Sequence, residues 1–305
     1  CMAVYGQAGD RLWLPAELDP GRLGRLLRDP DVELVSGAIP DDADQVLAWG
    51  LTEEAVRAGA DGDPSLVAEL NDRRASLAME EPLDPALAVP GPRVLESMDE
   101  FREAMGSWPH PEPWILKSPL SASGRARIKR SGAPASDAQA RARRLFDRFG
   151  VMILEPWLDR IADYGTTATV VDGECRAAAC HRMENDGHGV FRWARLGDPV
   201  PPSFLQKARA VGEELGRRGY RGPYSVDGFE YRTPVGSAAR TLCEINVRHS
   251  FGHIARALVR RFRDQLGDGK WQLEIVRRRP VTEGAIELVR PCQADPTAVT
   301  LSRWA

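Results

Sequence analysis

Hydrophobic and polar positions alternate in short runs along this chain, and the runs predict interleaved strands and helices. "VELVSGAI" (32–39) and "QVLAWG" (45–50) are brief apolar stretches closed by Gly or Pro, the pattern of strands. "PSLVAELNDRRASLAM" (64–79) has apolar residues at 66, 67, 70, 77 and 78, a helical spacing. "EPLDPALAVPGPRVL" (81–95) is Pro-rich and predicts an extended passage into a second lobe. Ser97, with Glu100 three residues on, opens a short helix over 97–105 as a capping box. "PWILKSPL" (113–120) reads as a strand and "SASGRARIKR" (121–130) as a loop dense in positive charge. "SDAQARARRLFDRF" (136–149) reads as an amphipathic helix capped at Ser136 or Asp137, and "VMILEPWL" (151–158) as a buried strand.

The second half continues in the same way. "GTTATVVDGECRAAACHR" (165–182) predicts two strands around an Asp-Gly turn. Residues 202–219 predict a helix, 223–232 and 239–247 a hairpin around "TPVGSA", and 253–267 a long final helix. The strand-like "WQLEIVRRRPVTEGAIELVRP" (271–291) carries no function that can be assigned. No internal repeat or low-complexity segment stands out. The pattern divides into an N-terminal α/β lobe over 1–90, a second unit over 91–160 and a third over 161–305.

Composition narrows the class. With 305 residues, 43% hydrophobic and 28% charged, the chain reads as an ordinary soluble globular protein of two domains or one large one. A net charge of −3 gives no reason to expect nucleic acid or an anionic membrane as partner. No apolar run approaches the length of a bilayer span. Cys1, Cys175, Cys180, Cys243 and Cys292 are scattered and odd in number, without zinc spacing. They are expected to be reduced thiols of a cytoplasmic protein. Of 41 basic residues only Lys117, Lys129, Lys207 and Lys270 are lysines. A lysine inside an apolar strand therefore stands out.

Lys117 is such a residue. It ends the run Trp114-Ile115-Leu116 and precedes small residues whose backbone N–H groups can approach phosphate oxygens. The Walker pattern is absent, and a solvated surface lysine is the equal alternative. "ILEPWLDRIADYG" (153–165) joins main-chain polar groups to apolar side chains, which suits a purine; Trp157 as core filler is the plainer alternative. Glu244, Asn246 and Arg248 are spaced by two, so a strand puts them on one face. Paired as a hairpin, Asp227 faces Glu244. Two carboxylates and an amide are hard oxygen donors of the kind Mg²⁺ takes, and a guanidinium beside them can fork onto a carboxylate or phosphoryl group. The same row would also serve as a solvated face.

The ordered set of lysine strand, small-residue loop, Glu-containing hinge, Asp strand and Glu-x-Asn-x-Arg resembles the ATP-grasp superfamily. D-alanine ligases and biotin carboxylase are similar in pattern. "LEPWL" resembles the family's hinge, and "EINVR" its Glu-Ile-Asn-Pro-Arg signature with Val247 in place of proline. The likeness covers residues 65–260. It implies an α+β fold, an N-terminal α/β lobe with two α+β lobes that clasp ATP. It implies that Lys117 binds the α/β-phosphates and that the loop of Ser121, Ser123, Gly124 and Arg125 closes over them. The segment Ile153–Leu158 would hold adenine, with Glu155 at its amino edge and Trp157 and Leu158 beside it. Asp163, where the family usually has glutamate, would contact ribose. Asp227, Glu244 and Asn246 would bind Mg²⁺, and Arg248 would act catalytically by steadying substrate or transition-state charge. In "NDRRA" (71–75), Arg73 stands where the family has a phosphate-touching lysine. His181, Arg182, His188 and Arg192 lie where the family often meets its second substrate; solvated loop residues are the alternative. The implied activity is ATP- and Mg²⁺-dependent ligation of a small carboxylate, an amino acid or peptide, to an amine, with a small-molecule kinase or a non-catalytic nucleotide-binding protein as alternatives.

Overall fold

Two antiparallel sheets of unequal size carry the architecture, with a small parallel pair of strands near the N-terminus. The computed structural model describes residues 2–14, 19–24, 27, 32–37, 43–109, 111–120, 126–186, 190–277, 281, 283–292 and 295–304. β1 (Arg11–Leu14) and β2 (Glu33–Ser36) form the parallel pair. β3 (Arg93–Leu95), β4 (Pro113–Lys117), β5 (Arg127–Ser131) and β6 (Met152–Pro156) form a four-stranded sheet in the order β3-β6-β4-β5. The larger sheet has eight strands: β7 (Arg160–Val171), β8 (Glu174–Asn185), β9 (Phe191–Leu196), β10 (Gly222–Thr233), β11 (Gly236–Asn246), β12 (Trp271–Arg277), β13 (Ile286–Val289) and β14 (Thr297–Arg303). Their order is β11-β10-β7-β8-β9-β12-β14-β13.

Helices α1 (Glu53–Arg57), α2 (Pro64–Asn71) and α3 (Arg73–Ala78) precede the four-stranded sheet. α4 (Met98–Gly106) and α5 (Ser136–Phe149) pack on that sheet through Phe101 and Phe146 against Trp114, Leu116 and Leu154. α6 (Pro202–Arg217) covers β7 and β10, with Ala208, Val211 and Leu215 against Ala168, Tyr224 and Val226. α7 (Phe251–Arg261) and α8 (Arg263–Leu266) pack with β12 and β14 over Ala3 and Val4. α4, α5, α6 and α7 each bury one apolar stripe, the usual source of helix stability. The N-terminal segment is tied to the last strands. Leu23 bridges Val289, the Gly24 N–H donates to Leu288 O at 2.8 Å, and Arg22 pairs with Asp295 at 3.0 Å.

Several expectations are corrected. The helix over 64–79 breaks at Asp72, whose extended backbone (φ −66°, ψ 130°) ends α2 and whose carboxylate accepts from the Arg74 N–H to start α3. Residues 45–50 form no strand; the Trp49 carbonyl accepts from the His249 N–H instead. The loop over 121–130 gives way to β5 from Arg127 onward. Ser97 does cap α4, accepting from the Glu100 N–H, but the Glu100 carboxylate reaches back to the Glu96 N–H. Ala135, without a side-chain cap, precedes α5. The hairpin over 223–247 is tighter than expected: Thr233 pairs with Gly236, leaving only Pro234 and Val235 in the turn. The last helix divides at Phe262. The β7–β8 turn is the Asp-Gly turn of the sequence, with positive φ at Asp172 (51°) and Gly173 (79°), as a tight hairpin of right-handed twist requires. β9 and β14 had no forecast. Among the described residues no helix is long and apolar enough to cross a membrane.

Candidate active site

Lys117 ends β4, one antiparallel step from β6, where Ile115 pairs with Glu155 and Lys117 with Ile153. Its ammonium donates to both Glu155 oxygens at 3.0 Å. Glu155 is 2% exposed, and Arg240 Nη1 donates to its Oε2 at 2.7 Å. Burial alone would raise the Glu155 pKa, but the Arg240 and Lys117 charges override it and hold the carboxyl down at about 2. Arg240, on β11, turns its other edge to Glu80 just beyond α3: Nη2 donates to Oε2 at 2.8 Å, and Nε donates to Oε1.

The acidic row lies on β10 and β11. Asp227 pairs in register with Glu244. The Asn246 amide donates to Asp227 Oδ2 at 3.4 Å and its oxygen accepts from Arg248 Nη2 at 2.8 Å. Arg73 Nη2 donates to Glu244 at 3.0 Å while its Nη1 donates to the Ser118 carbonyl at 2.8 Å. Burial, the Glu244 charge and the Asp163 charge push Asp227 up to about 7 against the pull of Arg248 and Arg160. A carboxylate crowded in this way is where an added cation is favourable. Among the described residues no three His, Cys, Asp or Glu side chains cluster as metal ligands; the Asn246 amide oxygen is the further oxygen donor at this row. Two carboxylates and an amide oxygen fit a hard divalent ion.

The hinge segment runs from β6 into β7. Trp157 donates its backbone N–H to Pro113 O at 2.9 Å, and Lys129 Nζ stands 3.6 Å from its ring centroid. Leu158 is buried against Phe229 and Tyr231. Asp163 accepts from Arg160 at 2.8 Å, and the Arg160 guanidinium lies 4.0 Å from the Phe229 ring centroid. Thus Arg73 links the neighbourhood of Lys117 and Glu155 to the row of Asp227, Glu244, Asn246 and Arg248, while Trp157, Leu158 and Asp163 lie on the adjoining run from β6 into β7. Ser121, Ser123, Gly124, Arg125 and His188 lie outside the described residues. His181 is no solvated loop residue: it is buried on β8, packed against Gly165 and Gly252, and burial lowers it to about 3. Arg182 is exposed, and Arg192 pairs with Glu184 at 2.6 Å. Cys175, Cys180, Cys243 and Cys292 are free thiols.

Glu80, Lys129, Arg160 and Arg240 were missed. Strict alternation puts Arg240 on the face of Glu244 and Asn246, and its pairing with Phe229 keeps it there across the bulge between Asp227 and Phe229, where its guanidinium reaches Glu155. The available signal was Gly228 inside a strand pattern, a mark of a bulge or of close backbone approach. A Cβ there would stand 2.7 Å from the Arg240 carbonyl oxygen and 2.8 Å from that of Thr241.

No protein-family model matches the sequence, and no curated protein matches it. In three dimensions the chain is similar to N5-carboxyaminoimidazole synthetase from Staphylococcus aureus, solved with ADP. The TM-score is 0.62 at 11% identity, over 96% of this chain and 86% of that one. It is similar to N5-carboxyaminoimidazole ribonucleotide synthetase from Thermus thermophilus, with a TM-score of 0.59 at 16% identity over 96% and 87%. It is also similar to the biotin carboxylase domain of the Hydrogenobacter thermophilus 2-oxoglutarate carboxylase, solved with MgADP and bicarbonate. There the TM-score is 0.53 at 13% identity, over 79% of this chain and 63% of that one. Both kinds of neighbour are ATP-grasp enzymes. The lysine strand, the hinge and the Glu-x-Asn-x-Arg strand thus sit in a chain that has the ATP-grasp fold.

Proposed function

We propose that the chain is an ATP- and Mg²⁺-dependent ligase that activates a carboxylate as an acyl phosphate, joins it to an amine and releases ADP and phosphate. The observation that carries this reading is the span of Arg73. One guanidinium touches both the carbonyl of Ser118, next to Lys117, and the Glu244 carboxylate. The lysine strand and the acidic row are therefore one side chain apart, the separation that a polyphosphate with a bound cation would bridge. The presence of ADP, MgADP and bicarbonate in structures of similar fold supports it. Residues 1–90, 91–160 and 161–305 act as three lobes in this reading, with nucleotide held between the second and third.

The chain's own groups have these roles. Lys117 gives its ammonium to the α/β-phosphates, with Glu155 as its resting partner. Glu155, ionised and acceptor-only, faces the adenine amino group. The Trp157 N–H is committed to Pro113, so the Leu158 N–H is the next main-chain group for the base edge. Asp163 turns toward ribose. Asp227, Glu244 and Asn246 would hold Mg²⁺, which when bound offsets charge on the phosphoryl oxygens. Arg73 spans phosphate and acidic row, and Arg248 steadies the reacting carboxylate. That carboxylate is already ionised near pH 7, so its attack needs no base.

The test is phosphorus NMR of the protein with MgATP, bicarbonate or amino acids as carboxylates, and a panel of amines. ADP and phosphate, with a hydroxamate trapped by hydroxylamine when the amine is omitted, is the expected result. A stable phosphorylated product moves the assignment to a kinase. AMP overturns both, and bound but unconsumed ATP with every pair leaves a non-catalytic nucleotide binder.

A further inference from the structure

Four charges, the middle two buried, stand in single file: Glu80, Arg240, Glu155 and Lys117. They come from the segment after α3, from β11, from β6 and from β4. Side-chain exposure is 6% for Glu80, 3% for Arg240 and Glu155, and 15% for Lys117, so the lysine end is the most exposed part of the file. We infer that Arg240 is a positioning residue that sets how much of the Lys117 charge is free for a nucleotide phosphate. This inference rests on the proposed nucleotide site.

The argument is one of sharing. A buried carboxylate must be neutralised, and Glu155 is neutralised by two cations at once. With Arg240 2.7 Å from one oxygen, Lys117 need not satisfy Glu155 alone. Arg240 in turn is gripped along its other edge by both Glu80 oxygens, a fork that fixes the guanidinium plane and draws part of its charge away from Glu155. Two opposite consequences follow. Without the Arg240 charge, Glu155 holds Lys117 more tightly and phosphate binding weakens. Without the Glu80 charge, Arg240 turns wholly to Glu155 and Lys117 is released toward phosphate. A residue that only ties the two sheets together would shift both variants the same way.

The experiment is calorimetric binding of MgADP and of adenosine to the wild type, Arg240→Gln, Glu80→Gln and the double variant Arg240→Gln with Glu155→Gln. The quantity read is the ratio of the two affinities, which cancels damage to the base pocket. Arg240→Gln should lower the ratio about tenfold, Glu80→Gln should raise it, and the double variant should return it toward wild type because no anion is left to hold Lys117. If Arg240→Gln does not fold, the sign for Glu80→Gln decides. Equal ratios, or shifts of one sign in both single variants, overturn the inference while the nucleotide site stands. A wild type that binds neither compound overturns the site, and the inference with it.

Discussion

Asp227 faces Glu244 across the β10–β11 pair with Asp163 nearby, and burial together with their repulsion sets its proton affinity. Its pKa is raised from 3.8 to about 7 in the folded chain. A carboxyl raised on folding contributes stability that is fully present below the unfolded value and lost as pH rises through the folded one. The metal-free protein should therefore lose melting temperature from about pH 4 to about pH 7, a loss that Asp227→Asn removes and that Mg²⁺ flattens. Melting curves across that range, with and without Mg²⁺, check it; an identical slope in wild type and variant would contradict it. At the same scale, Glu244→Gln and Asn246→Ala should abolish turnover with the fold intact, and Arg248→Ala should lower kcat more than it weakens ATP binding. Steady-state kinetics and far-UV spectra of the variants decide; wild-type turnover in both metal-row variants would leave a solvated face only. These residues were legible because spacing by two is visible in a string of letters. Arg240 lies on that face too, but nothing in the letters names its partners: Glu155 lies 85 residues away and Glu80 160 residues away.

Bulges and caps belong to the element scale, and two of them aim the site. Gly228 lets β10 pass close to the carbonyls of Arg240 and Thr241. Gly228→Ala should cost about 1–3 kcal/mol by overpacking. It should also weaken nucleotide binding, because widening the bulge moves both Asp227 and Arg240. Denaturant unfolding alongside a binding titration measures the two effects together. Asp72→Ala removes the cap that restarts the helix before Arg73 and should cost about 1 kcal/mol. Elements with a strong local signal were readable: the Asp172-Gly173 turn announces its hairpin, and Ser97 its helix. β5 was hidden because only Ile128 of its five residues is buried, so charge masks the alternation. "QVLAWG" looked like a strand because short apolar runs do; its Trp49 packs beside His249 and Phe251 without joining a ladder.

Across the whole molecule, MgATP should stabilise the fold by about 2.7 kcal/mol at a free concentration about 100 times Kd. For a chain of this length that is a melting shift on the order of 5 °C. GTP should shift it less, since the Glu155 carboxylate repels a carbonyl at the position of the adenine amino group. Thermal-shift curves with the two nucleotides test this, and no shift with either would remove the nucleotide from the reading. The order of motifs along the chain was enough to anticipate this fold. The continuation of the large sheet through β9, β12, β14 and β13 was not, because such pairings are long-range and leave no local mark.

The join between Leu23 and Val289 has a bearing on how the protein is made. Residues 22 to 24 leave the ribosome well ahead of their hydrogen-bond partners, which lie at 288, 290 and 295. The β3–β6 sheet and the β7–β8 and β10–β11 hairpins can form during synthesis from neighbours in sequence. The N-terminal segment has to wait through more than 260 residues of translation before it can dock. Contacts this far apart are slow to close and leave apolar surface exposed meanwhile. The segment around Leu23 is therefore among the last parts of the fold to close.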